Sequence, residues 1–204
     1  MSTRPIGSGA SEHDPGVTRR QFVNRGLVAT GGVLSGGMLS ALVAFLWPAP
    51  ASGFGAKVVA GRLSDIRDAM VRRREPYYVP AARAYLAPYP AEALAAAREV
   101  YDERLVPGLE AGVVALYQKC AHLGCKVPWC GSSQWFECPC HGSRYNRVGE
   151  QRGTPAPRGM DHFPIEFDDD RVVIDTSQVV PGMPVGTDTT GQQAEGPHCV
   201  KPGG

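Results

Sequence analysis

Cys120-Ala121-His122-Leu123-Gly124-Cys125 and Cys138-Pro139-Cys140-His141-Gly142-Ser143 decide how this chain is read. The first box holds a Cys-x-His pair, the second a Cys-x-x-His pair. Thiolate and imidazole are the side chains that borderline metals prefer. Cys120, His122, Cys138 and His141 are therefore the candidate metal ligands. Two kinds of centre take two Cys and two His. One is structural zinc. The other is a [2Fe–2S] cluster in which two thiolates hold one iron and two imidazoles the other. Three features oppose zinc. The histidines lie inside the cysteine boxes rather than in a separate His-x3-5-His helix. Surplus cysteines, Cys125 and Cys140, stand beside the ligands. Each box also reads as a glycine-containing loop that follows a strand.

The paired boxes resemble those of the Rieske iron–sulfur subunit of quinol–cytochrome c oxidoreductases, the bc1 and b6f complexes. The likeness is strong over about 115–165, fair for the overall layout, and absent from the segment near 91–104 and from the C-terminal tail. It implies one Rieske-type [2Fe–2S] cluster per chain. It also implies a Cys125–Cys140 disulfide tying the two ligand loops together, a pair that separates this chain from Rieske oxygenases and most soluble Rieske ferredoxins. Ser143 and Tyr145 fall where the family places hydroxyls that donate to cluster and ligand sulfurs. Such donors stabilise the electron-rich reduced state and raise the potential within roughly −150 to +300 mV. Gly142 belongs to the same cofactor-binding loop. Gly153-Thr154-Pro155-Ala156-Pro157 resembles the family's proline loop, with Pro155 and Pro157 covering the cluster; Thr154 stands where that loop has a glycine. By the same match His141 faces the quinol, with His122 as the second imidazole and Leu123 beside them. An imidazole bound through one nitrogen keeps the other for proton exchange, so proton and electron can leave a quinol together. The implied partners are a cytochrome b-type subunit, a cytochrome c-type haem subunit and membrane quinol, in a dimeric complex.

The N-terminus supplies the compartment. Residues 1–17 are polar and rich in Gly and Ser, a composition that stays disordered. Thr18-Arg19-Arg20-Gln21-Phe22 resembles a twin-arginine export signal. An uncharged run from Gly26 to Trp47 follows, long enough to span a bilayer. Ala49-Pro50-Ala51 offers an A-x-A-like cleavage site, but a cleaved signal core is shorter, about 7–15 residues. Length thus favours retention. Arg19, Arg20 and Arg25 precede the run, which leaves the N-terminus in the cytoplasm and the head outside. A bacterial plasma-membrane protein with one pass is expected. Gly31, Gly32, Gly36 and Gly37 would let another helix approach, though glycine is also common in membrane helices.

The expected organisation is a tail at 1–25, a transmembrane helix at 26–47, a linker at 48–56, a Rieske domain at 57–180 and a tail at 181–204. The linker mixes Gly and Pro; in the resembled family it is a hinge. The fold class is mainly β: a small antiparallel Rieske-type barrel with a cluster-binding subdomain. Lys57-Val58-Val59-Ala60, Tyr77-Tyr78-Val79, Ala84-Tyr85-Leu86 and Gly112 to Gln118 read as strands. Asp161 to Phe167 and Arg171 to Asp175 read as two alternating strands around an Asp-rich turn. Pro90 precedes a run of helix formers, Ala91 to Val100, which predicts one inserted helix over 91–104. From Pro181 onward Gly, Pro, Thr and Gln dominate, with too little apolar surface to pack alone.

Six cysteines leave two outside the family pattern, Cys130 and Cys199. In an oxidising compartment they suggest a second disulfide that pins the tail; either could instead meet another subunit. His198 beside Cys199 is half of a metal site with no further ligand evident in sequence. Charge is nearly balanced, 21 basic against 20 acidic residues, so nothing argues for nucleic acid. The small subunit of a molybdenum oxidase such as arsenite oxidase and a zinc-binding adaptor are the alternatives. A catalytic Rieske oxygenase needs a second domain for its iron triad, and the chain is too short for one.

Overall fold

The structure, a computed structural model, describes residues 16–47 and 54–201. The tail at 1–15, the Ala49-Pro50-Ala51 segment and most of the 48–56 linker lie outside these residues. The chain divides into two units, Met1–Pro50 and Ala51–Gly204. In the first, α1 (Arg19–Leu46) is a helix of 28 residues, long and apolar enough to cross a membrane. It opens with a reciprocal cap. The Thr18 hydroxyl accepts the Gln21 N–H at 3.2 Å, and the Gln21 side chain accepts the Thr18 N–H at 3.0 Å. The twin arginines form its first turn.

The second unit is built on three antiparallel sheets. Strands β1 (Lys57–Arg62), β2 (Tyr77–Val79), β3 (Ala84–Pro88) and β4 (Val113–Tyr117) precede the first box. Strands β5 (Trp129–Cys130), β6 (Trp135–Glu137), β7 (Arg144–Tyr145) and β8 (Gln151–Gly153) surround the second. Strands β9 (His162–Phe163), β10 (Ile165–Asp168) and β11 (Arg171–Asp175) close the chain's regular structure. The strand orders are β1-β11-β10, β2-β3-β4-β9 and β5-β6-β7-β8.

The β2-β3-β4-β9 sheet is the middle layer, and its sequence shows why. Ala84-Tyr85-Leu86-Ala87 and Val113-Val114-Ala115-Leu116-Tyr117 are buried throughout. Successive side chains point to opposite faces. Ala84, Leu86, Val113, Ala115 and Tyr117 meet β1, β10 and β11 in one core. Tyr85, Ala87, Val114 and Leu116 meet the cluster subdomain in the other, with Phe136, Tyr145 and Met160. A strand covered on both faces needs apolar residues at every position.

Two elements differ from the sequence expectation, and a third, after β1, is additional to it. The span after β1 is a helix, α2 (Leu63–Arg73), which buries Ile66 and Met70 one turn apart and leaves Asp68, Arg72 and Arg73 outside. The inserted segment is two short helices, α3 (Leu94–Val100) and α4 (Val106–Glu110), rather than one over 91–104. Asp102 starts the second half by accepting the Arg104 N–H at 3.0 Å, and Pro107 sits in the first turn of α4. The insertion fills a core. Ala93, Ala97, Tyr101, Leu105 and Leu109 recur every fourth residue and all are buried. Asp161 to Phe167 is also not one strand. Pro164, which lacks a donor for the ladder, divides it into β9 on the middle sheet and β10 on the outer sheet.

Residues 181–201 have almost no regular structure yet lie against the head. Thr189 N–H donates to Glu150 at 3.0 Å, the Arg147 N–H donates to Gln192 at 2.9 Å, and Arg147 pairs with Glu195 at 2.7 Å. Polar contacts, with Met183 buried, replace the apolar face that the tail lacks. The Cys130–Cys199 disulfide is present and closes a separation of 69 residues.

Candidate metal centre

The two boxes fold into loops of the same design. In the first, between β4 and β5, the Cys120 N–H donates to the Cys125 carbonyl at 2.8 Å and the Gly124 N–H to the Cys120 carbonyl at 2.9 Å. In the second, between β6 and β7, the Cys138 N–H donates to the Ser143 carbonyl at 2.8 Å and the Gly142 N–H to the Cys138 carbonyl at 3.0 Å. Each loop thus turns its own backbone around a cysteine. Both turns close through a glycine at positive φ, 78° at Gly124 and 79° at Gly142. That conformation penalises a Cβ, so the glycines in the boxes are structural requirements.

Pairing the loops brings the candidate donors together. Four cysteines are bonded, as Cys125–Cys140 and Cys130–Cys199. Cys120 and Cys138 are free and buried. The His122 and His141 rings lie 5.0 Å apart, edge to face. Cys138 lies within 4.8 Å, sulfur to sulfur, of the Cys125–Cys140 bond. His141 and Leu123 are exposed, Leu123 at 71 %. Leu123 thus presents an exposed apolar side chain on the first box, and His141 an exposed imidazole on the second.

Hydroxyls converge on the sulfurs. Tyr145, fully buried, holds its hydroxyl 3.1 Å from Cys120 Sγ while accepting the Ala121 N–H at 3.3 Å. Burial pushes the Cys120 thiol up, but hydrogen bonds from Tyr145, the His122 backbone N–H and Ser143 outweigh it and hold the thiol below its ordinary value. Cys138 moves the other way, chiefly through burial and its nearness to the Cys120 sulfur. Ser143 is fully buried, and its oxygen accepts the Ala156 N–H at 3.1 Å. One hydroxyl thereby ties the second box to the 153–157 segment. There Pro155 and Pro157 are exposed, Ala156 is buried, and Thr154–Pro155 is a cis bond.

Behind this layer lies a carboxylate network that the sequence did not reveal. Glu150, buried, accepts from Asn146 at 2.7 Å, from the Tyr101 hydroxyl at 3.2 Å and from the Thr189 hydroxyl at 2.5 Å. It braces the turn between β7, which carries Tyr145, and β8. Glu137, also buried, precedes Cys138. It accepts from Ser133 at 2.6 Å and from the Val200 N–H at 2.7 Å, and its Oε1 is 2.7 Å from His198 Nδ1. Polar residues at strand ends look like surface until their partners, tens of residues away, are known.

The donor chemistry fits a Rieske-type cluster. Two unpaired thiols interact with each other and two imidazoles stand edge to face 5.0 Å apart on the same pair of loops, while the remaining cysteines are consumed by disulfides. Comparison with known proteins agrees. Residues 86–164 match the family model for the Rieske [2Fe-2S] domain. The cytochrome b6-f complex iron-sulfur subunit of Synechococcus sp. (strain JA-3-3Ab) is 31% identical over 170 residues, covering 78% of this chain and 87% of that protein. The subunit of the same description from Synechococcus elongatus (strain ATCC 33912 / PCC 7942 / FACHB-805) is 31% identical over 183 residues, covering 82% and 88%. A chain of the solved structure described as hyperthermophilic respiratory Complex III is 24% identical, covers 74% of this chain and 98% of its own length, and superposes with a TM-score of 0.41. At that score the superposition carries no weight beside the sequence matches. With its cysteine–histidine boxes, its two free thiols and this extent of identity, the chain belongs to the family of Rieske iron–sulfur subunits of bc-type complexes, and its cofactor is a Rieske-type [2Fe–2S] cluster.

Proposed function

We propose that this chain passes electrons from a membrane quinol to a cytochrome c-type haem, as the iron–sulfur subunit of a bc1- or b6f-like complex. Cys120 and Cys138 would hold one iron and His122 and His141 the other. When bound, the cluster supplies a one-electron carrier whose potential the surrounding hydrogen bonds raise. The protein's own residues do the rest. His141, exposed at the tip, offers its metal-free ring nitrogen to a quinol hydroxyl and takes the proton there. Leu123 gives the quinone ring an apolar surface beside that nitrogen. Tyr145 and Ser143 donate toward sulfur and favour the added electron. The Cys125–Cys140 disulfide and the Pro155–Pro157 segment keep water from the buried side.

The observation that carries this reading is the asymmetry of the donors. The thiols are buried, whereas His141 and Leu123 are exposed. A structural metal site has no use for an exposed ligand; a proton-coupled electron carrier requires one. The relatives are named as subunits of cytochrome b6-f complexes, which supports cytochrome subunits as partners; the assembly we propose is dimeric. α1 would anchor the chain in a bacterial plasma membrane by a single pass. Its basic first turn would lie in the cytoplasm and the head outside. The linker before Phe54 would act as the hinge. The test is quinol oxidation by membranes carrying His141→Ala. Loss of turnover together with loss of the cluster signal is expected; retention of both would refute the assignment.

A further inference from the structure

A second group of metal-binding atoms stands apart from the free thiols and the paired histidines. The Cys130 and Cys199 sulfurs and a Glu137 carboxylate oxygen all lie within 4.8 Å of one another. His198 Nδ1 is 2.7 Å from Glu137 Oε1. Two sulfurs and one carboxylate oxygen are thus gathered from β5, β6 and the C-terminal tail, and the imidazole, outside that group of three, is hydrogen-bonded to the same carboxylate. We propose that the dithiol form of the chain binds one zinc ion through Cys130, Cys199, His198 and Glu137. This inference does not rest on the electron-transfer reading.

The geometry suits zinc. At a tetrahedral site with Zn–S of about 2.3 Å, two thiolates stand roughly 3.7 Å apart. The Cα separation of 5.8 Å between Cys130 and Cys199 accommodates that opening. Zinc would take the place of the hydrogen bond between His198 Nδ1 and Glu137, with the neutral imidazole carrying its proton on Nε2. The surrounding groups already orient the ligands. The Val200 N–H and the Ser133 hydroxyl hold the Glu137 carboxylate, at 2.7 and 2.6 Å. The Ser132 hydroxyl lies 3.2 Å from Cys130 Sγ and 3.6 Å from Cys199 Sγ. Partners of this kind fix ligand orientation in protein metal sites. Hard cations such as Mg2+ need oxygen ligands and are disfavoured by the thiolates. The dithiol form exists before the bond is made, or after disulfide exchange with a dithiol reductant, which leaves two protein thiols and the reductant's own disulfide. Zinc binding then releases two protons, one from each thiol. Bound zinc would hold the tail in the same place as the disulfide, so that the head keeps one shape in either redox state.

The test uses the full chain with its cluster. A phosphine opens the disulfides anaerobically, taking up one water oxygen and leaving two thiols for each bond. Zinc uptake is then measured in competition with a chromophoric chelator. One zinc per chain above the unreduced protein is expected. That zinc is expected to vanish in Cys199→Ser and to bind at least tenfold more weakly in His198→Ala. No uptake by the reduced wild-type chain would overturn the proposal, as would uptake that Cys199→Ser retains. Should Cys199→Ser fail to fold, judged by loss of its cluster absorption, His198→Ala decides alone, and an unchanged affinity there overturns it.

Discussion

Tyr145 shows how much depends on single atoms in this head. Its ring is completely buried, and its hydroxyl reaches Cys120 Sγ at 3.1 Å. Tyr145→Phe removes the donor and keeps the packing. The reduced cluster should lose stabilisation on the order of 1.4 kcal/mol, a midpoint potential lower by about 60 mV for one electron. Ser143→Ala should act in the same direction and also free the Ala156 N–H. Protein-film voltammetry of both variants checks this; unchanged potentials would mean that the hydroxyls do not act on sulfur. His162 makes a different prediction. Its ring is buried edge-on against Tyr101, and burial lowers its pKa from 6.5 to about 4, with Asp161 opposing too weakly to matter. The unfolded chain therefore binds a proton that the folded chain refuses. Stability should be full above about pH 6.5 and fall by up to roughly 3 kcal/mol as pH drops toward 4. Denaturant midpoints against pH measure it, and His162→Leu should flatten that segment of the curve. At this scale the ligand boxes were legible because each is a local string of donors. The Glu137–His198 contact was not, because its members lie 61 residues apart.

Elements were legible where one chemistry dominated the stretch. The strands of the middle sheet, buried on both faces, announced themselves as β-prone runs bounded by prolines and glycines. The inserted helix was foreseen from its alanines, but its break was not, because Asp102 reads as an ordinary helix-surface residue until its cap is seen. α2 follows directly on the strand-like Lys57 to Ala60, and its only helical signature in sequence is the spacing of Ile66 and Met70. Pro164 should have split the strand at Asp161 to Phe167 on sequence alone. The insertion proves to be core. Leu109 is 1 % exposed, in the core it shares with Tyr101, Leu105, Val114 and Leu116. Leu109→Ala should cost about 2–4 kcal/mol, read from the urea midpoint with the cluster spectrum intact. A cost near zero would make the insertion an ornament.

At the scale of the molecule, covalent and polar ties add to the two apolar cores. Two disulfides, Cys125–Cys140 and Cys130–Cys199, join the box loops to each other and the tail to β5. The second closes a long loop and can contribute up to about 4 kcal/mol by the chain-entropy model. The head begins firmly at Phe54, which stacks on Tyr117 at 5.4 Å, with the Gly55 N–H donating to Thr176 at 2.7 Å. Phe54, Gly55 and Ala56, placed in the 48–56 linker by composition, make these contacts with the head. Replacing 48–53 by a proline run should slow electron delivery to the haem several-fold while leaving the cluster spectrum unchanged; wild-type turnover would argue for a fixed head. The most direct test of the whole account is pulsed electron paramagnetic resonance of the reduced protein. A [2Fe–2S] signal coupled to two imidazole nitrogens, with one coupling lost or the whole signal abolished in His122→Ala and in His141→Ala, is the expected result. A protein that carries zinc and gives no signal on reduction, or a cluster signal without nitrogen coupling, would contradict it.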